Sequence, residues 1–362
     1  MNPLSKLNEL GQSIWLDFFD REMMNSGTLL RMLDEDKLTG ITSNPSIFEK
    51  AIASGSDYDE DVKTLSQKYS DSEEVFFKFA VDDIRRAADI MSPIYNATSG
   101  NDGFVSLEVS PFLANDEEAT VKQALQLWNE VGRDNVMIKI PSTPEGLNAI
   151  RRVIAEGVNV NVTLLFGLER YREVVEAYIA GLEDRLKAGK PIDKVRSVAS
   201  FFLSRIDVLL DQQLQTKGLD NLVGEVAVAS AKVAYQIYLE LFGSDRFAKL
   251  KANGAVAQRL LWASTGTKNP AYSDVKYVEP LIGYNTVNTL PIDTLNAFRD
   301  HGEARITVEK NIEDAEARLK EIEEHGFSLN EVSDQLEAEG IEKFNDSFRN
   351  LLKAIEEKMK IV

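Results

Sequence analysis

Eight short apolar runs, each bounded by turn residues and separated by longer stretches with helical hydrophobic spacing, constrain this chain more than anything else in it. The runs are Ser13 to Asp20, Gly40 to Phe48, Gly103 to Val109, Asn135 to Pro141, Val158 to Phe166, Ser197 to Ser204, Arg259 to Gly266 and Asn285 to Pro291. Amphipathic stretches such as Thr28 to Lys37, Glu73 to Ser92, Glu117 to Val131, Glu145 to Glu156, Leu168 to Lys187 and Asn221 to Leu241 fall between them. A strand that waits for a crossover helix pairs parallel to the next, and eight such units close into an α/β fold, the (β/α)8 TIM barrel. A doubly wound open sheet is the alternative that the same alternation permits. No low-complexity linker or fixed-period repeat interrupts the 362 residues, so one barrel domain over 1–362, with additional N-terminal, inserted and C-terminal helices, is the economical reading. Residues 305–324 and 329–360 are rich in Glu, Lys and Leu, with opposite charges one helical turn apart; they predict an extension of solvated packing helices over about 305–362, with packing on the barrel or on another subunit both open.

Composition narrows the chemistry. With 41 basic and 59 acidic residues the chain carries a formal charge of −18, which repels nucleic acid and anionic membranes, so any phosphate needs a local basic cluster. There is no cysteine, hence no thiolate nucleophile and no Cys-based metal site, in keeping with a reducing compartment. The only histidines, His301 and His325, each precede a glycine and read as helix C-termini, not as a triad or zinc site. Asp57, Asp59 and Asp61 open like a calcium loop, but Val62 stands where Gly is required and Lys68 where the bidentate Glu belongs; an acidic helix start is the better reading. Gly189-Lys190 runs into Pro191, which has no hydroxyl for Mg²⁺. No metal or cofactor is expected. The N-terminus lacks the basic start and apolar run of a signal peptide, and no segment reaches the roughly 20 apolar residues that span a bilayer, so a cytoplasmic protein without a membrane partner is expected.

In such a barrel the chemistry sits at the C-terminal mouth, which singles out polar residues within or just after the apolar runs. Lys139 stands out, an ammonium between Ile138 and Ile140 in a run that ends at Pro141. Such a lysine either snorkels to water or, held inside, gives up its proton and becomes a nucleophile. The other runs offer Asp17; Thr42, Asn44 and Ser46; Glu108; Asn161 and Thr163, which alternation puts on one face; Ser200 and Arg205; and Ser264, Thr265 and Lys268. The last run offers no persuasive candidate. Taken singly, a strand Asp or Asn is more often a hydrogen-bonded structural residue, and Asp17 and Glu108 as a carboxylate pair alone suggest a glycosidase only as a weaker alternative. Together, an amine, two carboxylates and several small polar groups aimed at one mouth would cost too much desolvation to be scaffold alone. The inventory suits Schiff-base chemistry on a carbonyl: a neutral lysine adds to a ketone, a held water shuttles protons, and a carboxylate acts on the hydroxyl beside the breaking C–C bond.

The segments Gly40-Ile-Thr-Ser-Asn-Pro-Ser-Ile-Phe48, Val136-Met-Ile-Lys-Ile-Pro141, Asn159-Val-Asn-Val-Thr-Leu-Leu-Phe166, Ser200-Phe-Phe-Leu-Ser-Arg205 and Leu261-Trp-Ala-Ser-Thr-Gly266 resemble the transaldolases, in the order and spacing of their long bacterial branch. The resemblance covers most of the chain, from Asp17 to about Pro291. It implies a class I aldolase-type barrel that moves a dihydroxyacetone unit from sedoheptulose 7-phosphate to glyceraldehyde 3-phosphate, giving erythrose 4-phosphate and fructose 6-phosphate. By position Lys139 then resembles the Schiff-base lysine, Asp17 the acid/base at the C4 hydroxyl, and Glu108 with Thr163 the holders of the catalytic water. Asn44, Asn161 and Ser200 would bind the dihydroxyacetone hydroxyls, Thr42 and Ser46 would shape the wall near them, and Arg205 would be the main phosphate ligand. Many members place an arginine two residues after the serine of strand seven; here that position is Gly266, which leaves Ser264 and Lys268 as the further phosphate candidates. Fructose-6-phosphate aldolases share the barrel and the lysine but are shorter and carry Gln and Tyr near the water, where this chain has Glu108 and Phe202. The implied partners are phosphorylated ketoses and aldoses, and the sequence leaves monomer and homodimer both open. A sugar-phosphate binding barrel without catalysis is the remaining alternative.

Overall fold

The computed structural model describes residues 2–361. Its strands are β1 (Gln12–Leu16), β2 (Gly40–Ile41), β3 (Phe104–Glu108), β4 (Val136–Pro141), β5 (Val160–Leu165), β6 (Ser197–Phe202), β7 (Arg259–Ala263) and β8 (Thr286–Leu290). All pair in parallel, in sequence order, and β8 returns to β1, so the sheet closes as a barrel and the open-sheet alternative falls away.

Helices fill the intervals: α1 (Pro3–Glu9), α2 (Arg21–Asn25), α3 (Thr28–Glu35), α4 (Pro45–Ser54), α5 (Asp59–Ser66), α6 (Ser72–Ala97), α7 (Glu117–Val131), α8 (Pro144–Glu156), α9 (Leu168–Lys187), α10 (Ser204–Thr216), α11 (Val226–Phe242), α12 (Asp245–Lys251), α13 (Ile292–His301), α14 (Ile312–Glu324) and α15 (Leu329–Ile361). The aspartate run does open a helix, with Asp59, Glu60 and Asp61 in the first turn of α5, where their charge complements the helix dipole. His301 and His325 lie at the C-terminal ends of α13 and α14, as their glycines predict. No helix among the described residues is long and apolar enough to cross a membrane, and none of their acidic or histidine clusters could hold a metal ion.

One sequence expectation needs correction. The run from Gly40 to Phe48 is strand only at Gly40–Ile41; Asn44 then caps α4, its side chain accepting from the Ile47 amide at 3.1 Å, with Pro45 in the first turn. An Asn cap followed by proline is a helix start, and it overrides the apolar pattern. The C-terminal extension packs on the barrel, the point that the sequence leaves open. Ser333, Leu336, Gly340, Phe344, Phe348, Leu351 and Ile355 are buried at three- and four-residue spacing, so α15 lays one continuous face on the barrel. Gly340 sets how close it comes: a Cβ there would stand 2.9 Å from Leu164 and 3.5 Å from the Arg205 guanidinium.

The floor of the barrel is closed by an aromatic plug. Trp15 is fully buried and packs directly over Gly40, where a Cβ would stand 2.5 Å from the indole ring atoms. A glycine at 40 is therefore required for the floor to close.

Candidate active site

Parallel register carries the polar residues to the opposite end. Glu108, Lys139 and Asn161 are register partners across β3, β4 and β5, and Thr163 pairs with Pro141 one step further toward the mouth. Asp17 follows β1 directly, tied by its amide to the Leu290 carbonyl at 2.8 Å, and the Thr42 amide reaches the Leu16 carbonyl at 2.9 Å. These residues surround a cavity of about 240 Å³ lined by Asp17, Thr42, Asn44, Ser46, Lys139, Thr163, Ser200, Phe202, Arg205, Ser264 and Lys268, together with Ala263, Gly266, Thr289, Pro291 and Phe344.

Lys139 does not snorkel. Its side chain is 6% exposed, its Nζ lies 3.2 Å from Glu108 Oε2 and donates to the Ser43 carbonyl at 3.1 Å. Glu108 sits behind it and outside the cavity lining, and its Oε2, although within ion-pair distance, has no aligned hydrogen bond. Burial raises the Glu108 carboxyl above its ordinary value, opposed by the Lys139 charge and reinforced by Asp17. Burial also raises Asp17, against the pull of Lys139, a hydrogen bond from Thr42, and the more distant Lys268 and Arg205. Burial thus raises both carboxyls above their ordinary values beside the Lys139 amine, an arrangement suited to proton transfer.

Small polar residues complete the wall. Thr42 Oγ1 lies 3.0 Å from Asp17 Oδ1 and 2.7 Å from Thr289 Oγ1. Thr289 comes from β8, the strand in which the sequence offered no candidate; it and Phe344 of α15 are cavity residues that sequence reasoning missed, and the Thr-Leu-Pro end of β8 was the signal for Thr289. Asn161 is fully buried and does not reach the cavity lining: its Nδ2 donates to Ser106 Oγ at 3.1 Å and its Oδ1 accepts from Ser200 Oγ at 2.7 Å, so it backs Ser200. Thr163 does reach the cavity, because β5 bulges beyond Val162 and Leu164 takes a left-handed φ of 56°. Its Oγ1 is buried without a hydrogen-bond partner. Such strain and such an orphan cost of order 1–3 kcal/mol each, and they collect where function holds them.

The rim carries the cations. Arg205, in the first turn of α10, lies 5.6 Å from the Phe202 ring centroid, and its Nη1 is buried with no hydrogen-bond partner. Burial lowers its pKa, opposed by Glu339 and Asp17, although a guanidinium remains charged throughout. Ser264, at a left-handed φ of 54°, bonds Ser204 Oγ at 2.9 Å; Lys268 is exposed at the rim. The C-terminal helix reaches in from above: Phe344 puts its ring 5.6 Å from Lys139 Nζ, and Ser347 bonds Ser46 at 2.7 Å. The site residues named from the sequence thus gather at this mouth, with Glu108 and Asn161 one layer behind the surface and Thr265 buried outside the lining, its hydroxyl donating to the Thr289 carbonyl at 3.0 Å.

A parallel barrel that buries an amine between carboxyls at its C-terminal mouth defines a class I aldolase-type enzyme. The pattern of the transaldolase/fructose-6-phosphate aldolase family matches residues 14–355. Along nearly its whole length the chain is 47% identical to a transaldolase of Trichodesmium erythraeum, covering 99% of this chain and 98% of that protein. It is 46% identical to one of Saccharopolyspora erythraea, over 98% and 97%, and 44% identical to one of Thiobacillus denitrificans, over 98% and 100%. The chain belongs to the transaldolase/fructose-6-phosphate aldolase family.

Proposed function

We propose that this protein is a transaldolase that carries a dihydroxyacetone unit from sedoheptulose 7-phosphate to glyceraldehyde 3-phosphate on Lys139, acting as one domain in the cytoplasm. The observation that carries this reading is a buried Lys139 Nζ 3.2 Å from Glu108, facing the same cavity as Asp17. The amine adds to the ketose C2. Glu108 and the unpartnered Thr163 hydroxyl hold the water that shuttles protons as the carbinolamine dehydrates to an iminium. Asp17, kept above its ordinary pKa by burial, takes the C4 hydroxyl proton as the C3–C4 bond breaks, and returns it when the acceptor aldehyde is attacked. Asn44 and Ser200 hold the dihydroxyacetone hydroxyls, Asn161 acts there through Ser200, and Thr42 and Ser46 shape the wall. Arg205, with a buried nitrogen unpaired, takes the phosphate, assisted by Ser264 and by Lys268 as a point charge.

Two features favour transfer over simple aldol cleavage. The full-length relatives are named transaldolases, and Phe202, whose ring packs 5.1 Å from Phe166, offers no hydroxyl to protonate the bound enamine. Assay with sedoheptulose 7-phosphate and glyceraldehyde 3-phosphate is expected to yield erythrose 4-phosphate and fructose 6-phosphate in equal amounts. Brisk release of free dihydroxyacetone without an acceptor would instead assign the aldolase activity, and ligand binding without turnover a silent binding barrel.

A further inference from the structure

We propose that Phe344, carried in from the C-terminal helix α15, decides whether the intermediate on Lys139 passes to a sugar acceptor or is lost to water; this rests on the Schiff-base reading above. The ring is 6% exposed, lines the cavity, and stands 5.6 Å from Lys139 Nζ. It is the part of α15 that roofs the amine. The helix is seated on both sides of it: Gly340 lies against Leu164 and Arg205, the Ser347 and Ser46 hydroxyls bond at 2.7 Å, and Phe348 packs edge-on to Phe76 at 5.4 Å and Phe112 at 5.3 Å. None of the lysine, carboxylate or phosphate roles requires an aromatic ring at this place.

The chemistry says what such a roof does. When the C3–C4 bond breaks, its electron pair passes into the C2=N⁺ bond and leaves a neutral enamine on Lys139, while Asp17 holds the proton taken from the C4 hydroxyl. In transfer, C3 attacks the acceptor carbonyl carbon, a C–C bond forms, the iminium returns, and the new alkoxide takes the proton from Asp17. In loss, C3 takes a proton instead; water then adds at C2, the C–N bond breaks, dihydroxyacetone departs and the lysine regains its amine. Both routes end with the held water adding to an iminium at C2, so what the second alone needs is a proton delivered to C3 of the enamine. An aromatic ring at the roof keeps solvent, and the protons it carries, from the enamine on that side. Phe344 is therefore a specificity-determining residue for acceptor against water.

The test uses the full chain with fructose 6-phosphate as donor, with and without erythrose 4-phosphate, and measures free dihydroxyacetone against transferred product. Phe344→Leu is expected to raise the ratio of release to transfer by about tenfold, and Ser347→Ala, which loosens the seat of the helix, by about twofold. Phe344→Met, whose flexible side chain adapts to the gap left by the ring, provides a second reading if the leucine variant does not fold. Borohydride labelling of Lys139 is measured in each protein. Variants that still trap the adduct at Lys139 but keep the parental ratio overturn the role of Phe344. If the parental protein itself takes no label at Lys139, the Schiff-base reading fails and this inference fails with it, a result told from the first by the missing label.

Discussion

At the floor of the barrel, Asp102 accepts from Ser13 Oγ through one oxygen and from Trp15 Nε1 at 2.8 Å through the other. Arg259 closes the cluster, donating to Ser13 Oγ at 2.7 Å and to the Asn101 carbonyl at 2.9 Å, with its Nη2 3.6 Å from Asp102. At the mouth the same kinds of groups are buried but left open: Glu108 Oε2, Thr163 Oγ1 and Arg205 Nη1 have no hydrogen-bond partner. Both ends bury charge in one barrel, so burial alone does not mark the site. What differs is how the charged groups are satisfied, since among the described residues at the floor only the neutral amide oxygens Gln12 Oε1 and Gln258 Oε1 go unpartnered. A buried acid with both oxygens engaged contributes to the fold, whereas donors and acceptors held open at a desolvation cost are poised for a ligand.

That contrast is breakable by substitution. Lys139→Met should reduce transfer by roughly 10⁴-fold or more in a steady-state assay, while its thermal unfolding stays near that of the parent, since burial already raises the Glu108 carboxyl, which takes up a proton once its ammonium partner is gone. Asp102→Asn should do the reverse: about 3 kcal/mol lost in denaturant unfolding, because Arg259 loses its counter-charge, with kcat within about twofold of the parent at temperatures where it is folded.

Asp207 extends the comparison to pH. It is buried and satisfied by the Ala227 amide at 2.9 Å and the Tyr277 hydroxyl at 2.8 Å, yet burial lifts its carboxyl to about 6. A raised carboxyl binds its proton more tightly in the folded state, so its contribution to stability is full below about pH 4 and is lost as pH rises through 6. Relative to the parent, Asp207→Asn should gain about 2 kcal/mol between pH 4 and 7, read as the difference between two denaturation series. The smallest effect is expected at the rim: Arg205→Lys keeps the charge but loses the planar fork, and should raise KM for the phosphorylated donor by about fivefold with unfolding unchanged.

Much of this was legible in the sequence, for identifiable reasons. Strands separated by amphipathic helices leave few closed topologies, and Lys139 between isoleucines is visible because a buried amine is rare. The limits of β2 were missed because Ile47 and Phe48 continue an apolar pattern that belongs to α4, whose start Asn44 and Pro45 announce. Thr289 escaped notice because a threonine in a β-run is ordinary, and only its 2.7 Å contact with Thr42 across the closure of the barrel gives it a place in the site. The face of α15 was hidden by charge: exposed Glu, Lys and Asp surround Leu336, Phe344 and Phe348, and the period of the few apolar positions, not the average composition, carries the signal. That Glu108 and Asn161 stand one layer back depends on strand register, which no local pattern specifies.

The central claim is that the open groups at the mouth serve one nucleophile, and borohydride reduction in the presence of fructose 6-phosphate tests it most directly. The account predicts a single reduced dihydroxyacetone adduct on the peptide that carries Lys139, abolished in Lys139→Met and retained in Asp102→Asn. An adduct on any other lysine, or labelling that persists in Lys139→Met, would contradict it.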